Sequence, residues 1–86
     1  RQCDLLQAMG DFSGAQECWE AGLRQWPSSA LMYNELGNVH VQLDNLELAA
    51  AYYESARHYG LELAELNIAI VRELEGKTEE SMQRYE

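Results

Sequence analysis

The chain has only four cysteine and histidine side chains that could act as nucleophiles, general bases or metal ligands: Cys3, Cys18, His40 and His58. His40 and Asp44 are four residues apart and would share a helix face, but two ligands do not complete a metal site. His58 is expected in the last turn of its helix, where a cation suits the helix dipole. The sequence has no zinc-protease, nucleophile-elbow, phosphate-loop or paired-cysteine metal motif. We therefore expect no catalytic site, no cofactor and no metal, and the chain is not expected to be an enzyme.

Two cysteines in 86 residues do not form a disulfide framework of the kind found in small secreted domains. A free cysteine packs well as a small apolar side chain. We expect Cys3 to pack where two helices cross and Cys18 to lie on the next helix, both as buried free thiols. His40 is likewise expected to be a packed imidazole.

The charge balance restricts the class of partner. Fifteen acidic and six basic residues give a net charge of −9, which disfavours nucleic acid and anionic membrane surfaces. A basic partner would be attracted by the field alone, although solvated acidic helix faces that maintain solubility explain the same count. No stretch approaches the roughly 18 uninterrupted apolar residues of a membrane span. The sequence leaves the compartment open, with a slight preference for the cytoplasm.

The elements that would position these side chains repeat along the chain. Corresponding small and aromatic residues stand 34 and then 32 positions apart: Cys3, Gly37 and Ala69; Ala15, Ala49 and Ser81; Trp19, Tyr53 and Tyr85. A fixed period in this range is typical of a stacked repeat array. We expect Gly37 to lie at a tight helix crossing against Ala49.

Turn signals divide the chain into six predicted helices, near 1–8, 12–25, 29–42, 46–58, 62–74 and 78–86. The last turn is predicted at Gly76-Lys77-Thr78. Asp44 is predicted to cap the helix that follows it, and Ser28 or Ser29 to cap the helix after Pro27. The short connections favour antiparallel neighbours, so each repeat is predicted to be a helical hairpin.

The pattern resembles the tetratricopeptide repeat family. The matching segments are Tyr33-x2-Leu36-Gly37-x2-His40 with Ala49-x3-Tyr53 in the middle repeat, Ala15-x3-Trp19 with Pro27 in the first, and the weaker Glu65-x2-Ile68-Ala69-x2-Arg72 with Ser81-x3-Tyr85 in the third. The resemblance implies an all-α fold in which antiparallel helix-turn-helix repeats stack as a superhelix. We expect a single array over 1–86, with a partial repeat 1–29, a repeat 30–61 and a partial repeat 62–86, as a fragment of a longer array.

The resemblance also implies a concave groove lined by the first helix of each repeat, which holds an extended peptide or a partner helix. The implied groove residues are Asp4, Gln7, Leu31, Asn34, Asn38, Gln42, Leu66, Ile70 and Glu73. Asn34 and Asn38 are one turn apart, and their amides would bond a peptide backbone; ordinary exposed polar residues are the alternative.

Some members of this family hold a C-terminal carboxylate with Lys and Arg, but these groove positions carry no cationic fork. We therefore expect the partner to be a protein or peptide that is neutral or basic rather than acidic.

The segment 62–74 is apolar on more than one face. Its large apolar residues, with the one just before it, are Leu61, Leu63, Leu66, Ile68, Ile70, Val71 and Leu74. Neighbouring repeats, a bound segment or another copy of the chain would cover the second face. We expect a protein–protein interaction or scaffold module. The alternatives are an accessory segment of a larger enzyme or regulator, and a homo-oligomerisation module that self-associates through 62–74.

Overall fold

The computed structural model describes the backbone of residues 2–84 and the side chains of residues 3–77. Within these residues the chain forms five helices and no strand, as an all-α repeat fold requires. The helices are α1 (Gln2–Ala8), α2 (Phe12–Gln25), α3 (Ala30–Gln42), α4 (Leu46–His58) and α5 (Ala64–Arg84). Each helix packs mainly against the next one along the chain, so the first four form two successive hairpins and α5 packs on α4.

Three chain reversals share one backbone geometry. Gly10, Asp44 and Gly60 have positive φ values of 84°, 60° and 109°. In each reversal the following amide donates to the carbonyl five positions earlier, over 2.8–3.0 Å, which closes the preceding helix. The prediction that Asp44 caps α4 is therefore wrong, because Asp44 terminates α3; Asn45 is the cap residue and makes no side-chain cap bond. The Ser29 cap of α3 is confirmed by its hydroxyl, which accepts from the Met32 amide at 3.4 Å.

The core consists of two clusters that meet at the hairpin of α3 and α4. Ala15, Trp19, Leu36 and Val39 form the first cluster, between α2 and α3. The second cluster joins α4 to α5 and comprises Ala49, Ala50, Tyr53 and Val71. Trp19 and Tyr53, which occupy the same repeat position, thus each provide the large ring of a cluster.

Gly37 lies at the tight crossing of α3 and α4, as predicted, and the side chain nearest to it is Tyr53, one helical turn after Ala49. A Cβ atom at Gly37 would come closer than 3.0 Å to three atoms of the Tyr53 ring. That ring is buried, and its hydroxyl donates a hydrogen bond to Asn38 Oδ1. The ring therefore cannot easily move aside, and the crossing requires glycine.

Cys3 and Cys18 form a disulfide between α1 and α2, so the prediction of two free thiols is wrong. Their Cα atoms are 5.5 Å apart, within the range that a disulfide spans. The small-residue position of α1 faces α2, as the repeat pattern implies. Because α2 also carries a cysteine at that crossing, the two sulfurs meet.

The third hairpin is absent from the described residues, because α5 continues through Gly76 without a turn. The predicted helices 62–74 and 78–86 are therefore one helix, at least to Arg84. Ala69, expected at a helix crossing, is exposed. The side chain of Ser81 and the whole of Tyr85 lie outside the described residues. Phe12 and Leu46 begin α2 and α4, directly after the chain reversals at Gly10 and Asp44, and both are partly buried. The corresponding residue of the third repeat is the polar Thr78. A reversal at Gly76 would therefore bury little apolar surface.

His40 is a packed imidazole, as predicted. It is buried, and its ring stacks on Tyr52 with centroids 5.3 Å apart. Neither ring nitrogen has a hydrogen-bond partner. Burial lowers the pKa of His40, and the charge of Glu20 acts weakly in the opposite direction.

The packing at Gly37 predicts opposite changes in the free energy of unfolding for alanine at Gly37 and at Gly76. Gly37→Ala should lower the free energy of unfolding by about 1–3 kcal/mol through overpacking against Tyr53. Gly76→Ala is the matched control, because Gly76 is helical and a Cβ there meets nothing within 4 Å. It should raise stability by up to about 1 kcal/mol. Urea denaturation measures both, and a Gly37→Ala variant as stable as the parent would exclude this packing.

The disulfide predicts sensitivity to reductant. Opening a crosslink that spans 15 residues should lower the free energy of unfolding by about 3 kcal/mol in the chain-entropy model. Denaturation with and without dithiothreitol measures the difference. The Cys3→Ser/Cys18→Ser double variant should already have the lower stability and should not respond to the reductant. Identical curves for the oxidised and reduced parent would contradict the crosslink's role.

The buried imidazole predicts a loss of stability in mild acid. Since the folded-state pKa of His40 is depressed, the unfolded chain takes up a proton more readily than the folded one. Stability is therefore unaffected above about pH 6.5 and falls as pH drops below that ordinary value. The His40→Phe variant has no imidazole at this position to take up a proton on unfolding. Its melting temperature should therefore fall less than the parent's between pH 7.5 and 5.5. Parallel profiles would show that His40 does not titrate differently on folding.

Candidate functional site

Polar side chains place α1, α3 and α5 next to one another. Asp4 and Gln7 of α1 lie close enough to Glu35 of α3 to shift the pKa of its carboxyl. Asn34 Oδ1 of α3 accepts from Asn67 Nδ2 of α5 at 2.8 Å. The first helices of the three repeats therefore form one face of the molecule, which we call the A face.

The structure places the nine predicted groove residues at three depths. Six are exposed: Asp4, Leu31, Gln42, Leu66, Ile70 and Glu73. Gln7 and Asn38 are partly buried, and Asn34 is buried with 8% of its surface exposed. The interpretation of Asn34 and Asn38 as ordinary exposed polar residues is therefore wrong.

The amides of Gln7 and Asn38 bind the large rings of the core. Trp19 Nε1 donates to Gln7 Oε1 at 2.9 Å, and the Tyr53 hydroxyl donates to Asn38 Oδ1. Sequence reasoning missed these bonds, although a signal existed: a buried Trp or Tyr needs an acceptor for its polar tip. Both rings occupy the same repeat position, so an acceptor on the preceding helix was to be expected.

Glu35, which is not among the predicted groove residues, has a shifted pKa and lies next to α1 on the A face. Burial raises the pKa of Glu35; the Asp4 carboxylate raises it further, and the Gln7 hydrogen bond lowers it. Burial and then the Glu35 charge raise the pKa of Tyr53 to about 12. Tyr53 thus stays a hydrogen-bond donor at neutral pH, and the α1 side of the A face is acidic.

The α5 side of the A face is apolar. Leu63, Leu66 and Ile70 are exposed over 62%, 60% and 47% of their surfaces. Leu66 and Ile70 are one turn apart on α5, and Leu63 lies immediately before the helix begins, three residues before Leu66. We call these three side chains the apolar stripe. Leu31 of α3 is also largely exposed. Apolar side chains grouped in this way are characteristic of an interaction surface rather than of ordinary scattered exposure.

A cavity of about 470 Å³ lies away from the A face, at the connection between α2 and α3. Its lining consists of Trp26, Pro27, Ser28, Ser29 and Met32. None of these residues belongs to the predicted groove. Among the described residues, no three His, Cys, Asp or Glu side chains are grouped as a metal site would need, and no helix is long and apolar enough to span a membrane.

Comparison with known proteins identifies the family. The tetratricopeptide repeat family model matches residues 1–60, which is more than half of the chain, so the chain belongs to this family. Repeats of this family generally mediate protein–protein interaction or scaffolding. No curated protein and no solved structure gives a significant match.

The Asn34–Asn67 bond predicts a measurable coupling between α3 and α5. Asn34→Ala leaves the Asn67 amide without its partner and should cost about 0.5–1.5 kcal/mol of unfolding free energy. Asn67→Ala should cost a similar amount, and the double variant less than the sum, because both single changes remove one bond. Urea denaturation of the four proteins gives the coupling. Strict additivity would show that the two amides do not stabilise each other.

Proposed function

We propose that this chain is a protein-interaction module, not itself an enzyme, whose A face binds a neutral or basic peptide or helix of another protein. The observation that carries the proposal is the apolar stripe, whose three side chains are each about half or more exposed. The net charge of −9 and the acidic Asp4 and Glu35 support a neutral or basic partner.

The packing supports a preformed binding surface. The Tyr53, Trp19 and Asn67 hydrogen bonds hold Asn38, Gln7 and Asn34 in fixed positions before any partner arrives. Rigid helices lower the ordering cost of association. Binding would then bury the stripe without reorganising the array.

Photo-crosslinking in cells tests the proposal directly. A photoreactive amino acid replaces Leu66 in one protein and Leu48 in a control; Leu48 is 38% exposed on α4. We expect position 66 to give an adduct with a different protein and position 48 not to give it. The adduct is identified by mass spectrometry, and the purified partner should lose affinity for Leu66→Glu.

Three results would overturn the proposal: no adduct at position 66, the same adducts at both positions, or adducts only between copies of this chain. The last result would instead favour homo-oligomerisation through α5, which sedimentation over a concentration series would then show.

A further inference from the structure

The amides of the A face that are partly or fully buried already accept hydrogen bonds from inside the molecule. The side-chain oxygens of Asn34, Asn38 and Gln7 accept from Asn67, Tyr53 and Trp19 respectively. An extended peptide brings unpaired backbone N–H groups that need acceptors on the receptor. Each of the three amide oxygens already accepts one internal bond, and Asn34 is buried as well, so they are poorly placed to serve an extended backbone.

What the A face offers instead is aliphatic surface at helical spacing. The stripe from Leu63 to Ile70 covers about two helical turns, or roughly 10 Å. A helix satisfies its own backbone, so it can bind through side chains alone. An amphipathic helix with apolar residues at i, i+3 or i+4, and i+7 would match a ridge of this length.

Charge complementarity specifies the flanks of that helix. Glu73 is exposed three positions after Ile70, on the same side of α5. Across the A face, Asp4 lies close enough to Glu35 for its negative charge to raise the pKa of the Glu35 carboxyl. Among the described side chains of α5, Lys77 is the one cation that follows on the same side of the helix, four residues after Glu73 and seven after Ile70. The rim of the A face is therefore predominantly acidic.

We propose that the occupant of the A face is a cationic amphipathic helix of another protein, with its apolar side on Leu63, Leu66 and Ile70 and its Lys or Arg side chains towards Glu73 and the Asp4–Glu35 pair. This inference rests on the proposed function and specifies its partner. A second copy of this chain is disfavoured because two copies would each bring a charge of −9.

Three designed 18-residue peptides test the occupant by fluorescence anisotropy at physiological salt. One is an amphipathic helix of Leu and Lys; the second replaces Lys with Glu; the third is the Lys peptide with two prolines that prevent helix formation. We expect the helical Lys peptide to bind at least about tenfold more tightly than either other peptide. Its affinity should fall as salt is raised.

Matched variants locate the binding. Leu66→Ser should weaken binding of the helical Lys peptide by about tenfold, whereas Leu48→Ser on α4 should not. Glu73→Lys should weaken it by several-fold, whereas Glu17→Lys, an exposed change on α2, should not. Circular dichroism confirms that each variant is folded, and NMR shift changes in the unsubstituted protein should centre on α5.

Equal or tighter binding of the proline peptide would overturn the helical occupant, and equal binding of the Glu peptide would overturn the cationic one. Shift changes centred away from α5 would overturn the location. If the expected peptide binding is not found but position 66 still crosslinks to another protein, the proposed function stands and only the inferred partner class is wrong. If the crosslink is also absent, both fall.

Discussion

The contact between Gly37 and the Tyr53 ring is the interaction on which the rest of the fold depends. It brings α3 and α4 close enough for the Tyr53 hydroxyl to reach Asn38. The hairpin so formed contributes residues to both core clusters, with α2 packed against α3 in the first and α5 packed against α4 in the second. Because a Cβ atom at Gly37 would overlap the Tyr53 ring, the crossing of α3 and α4 requires glycine at this one position.

The same design explains the character of the A face. Trp19 and Tyr53 bury large rings whose polar tips must be satisfied, and the acceptors come from Gln7 and Asn38 on the preceding helices. The amides of the A face thus serve the core. In the proposed function, the exposed aliphatic stripe and the acidic rim around it would provide the recognition, so shape and charge rather than backbone pairing would select a partner.

Most of the fold could be predicted because the repeated small and aromatic positions reflect packing that recurs in each hairpin. The failures have local causes. Gly76 resembles a turn in sequence, but Thr78 brings no apolar side chain to bury, so helical hydrogen bonding continues. Asp is a residue type that often caps the start of a helix, but Asp44 adopts positive φ and closes α3 instead. The Cys3–Cys18 disulfide depends on a crossing geometry that spacing alone does not specify. Exposure of Leu66 and Ile70 matches the groove pattern that the resemblance implied, but their binding role remains a prediction.

Amide hydrogen exchange measured by NMR tests most directly whether the α3–α4 crossing is the structural centre. Local openings that leave this crossing intact should expose α1 and α5 at lower free energy than α3 and α4. We predict the slowest exchange for interior amides of α3 and α4 around Gly37 and Tyr53, with faster exchange in α1 and α5. Slowest exchange in α5, or equal protection across all five helices, would contradict a fold organised around that contact.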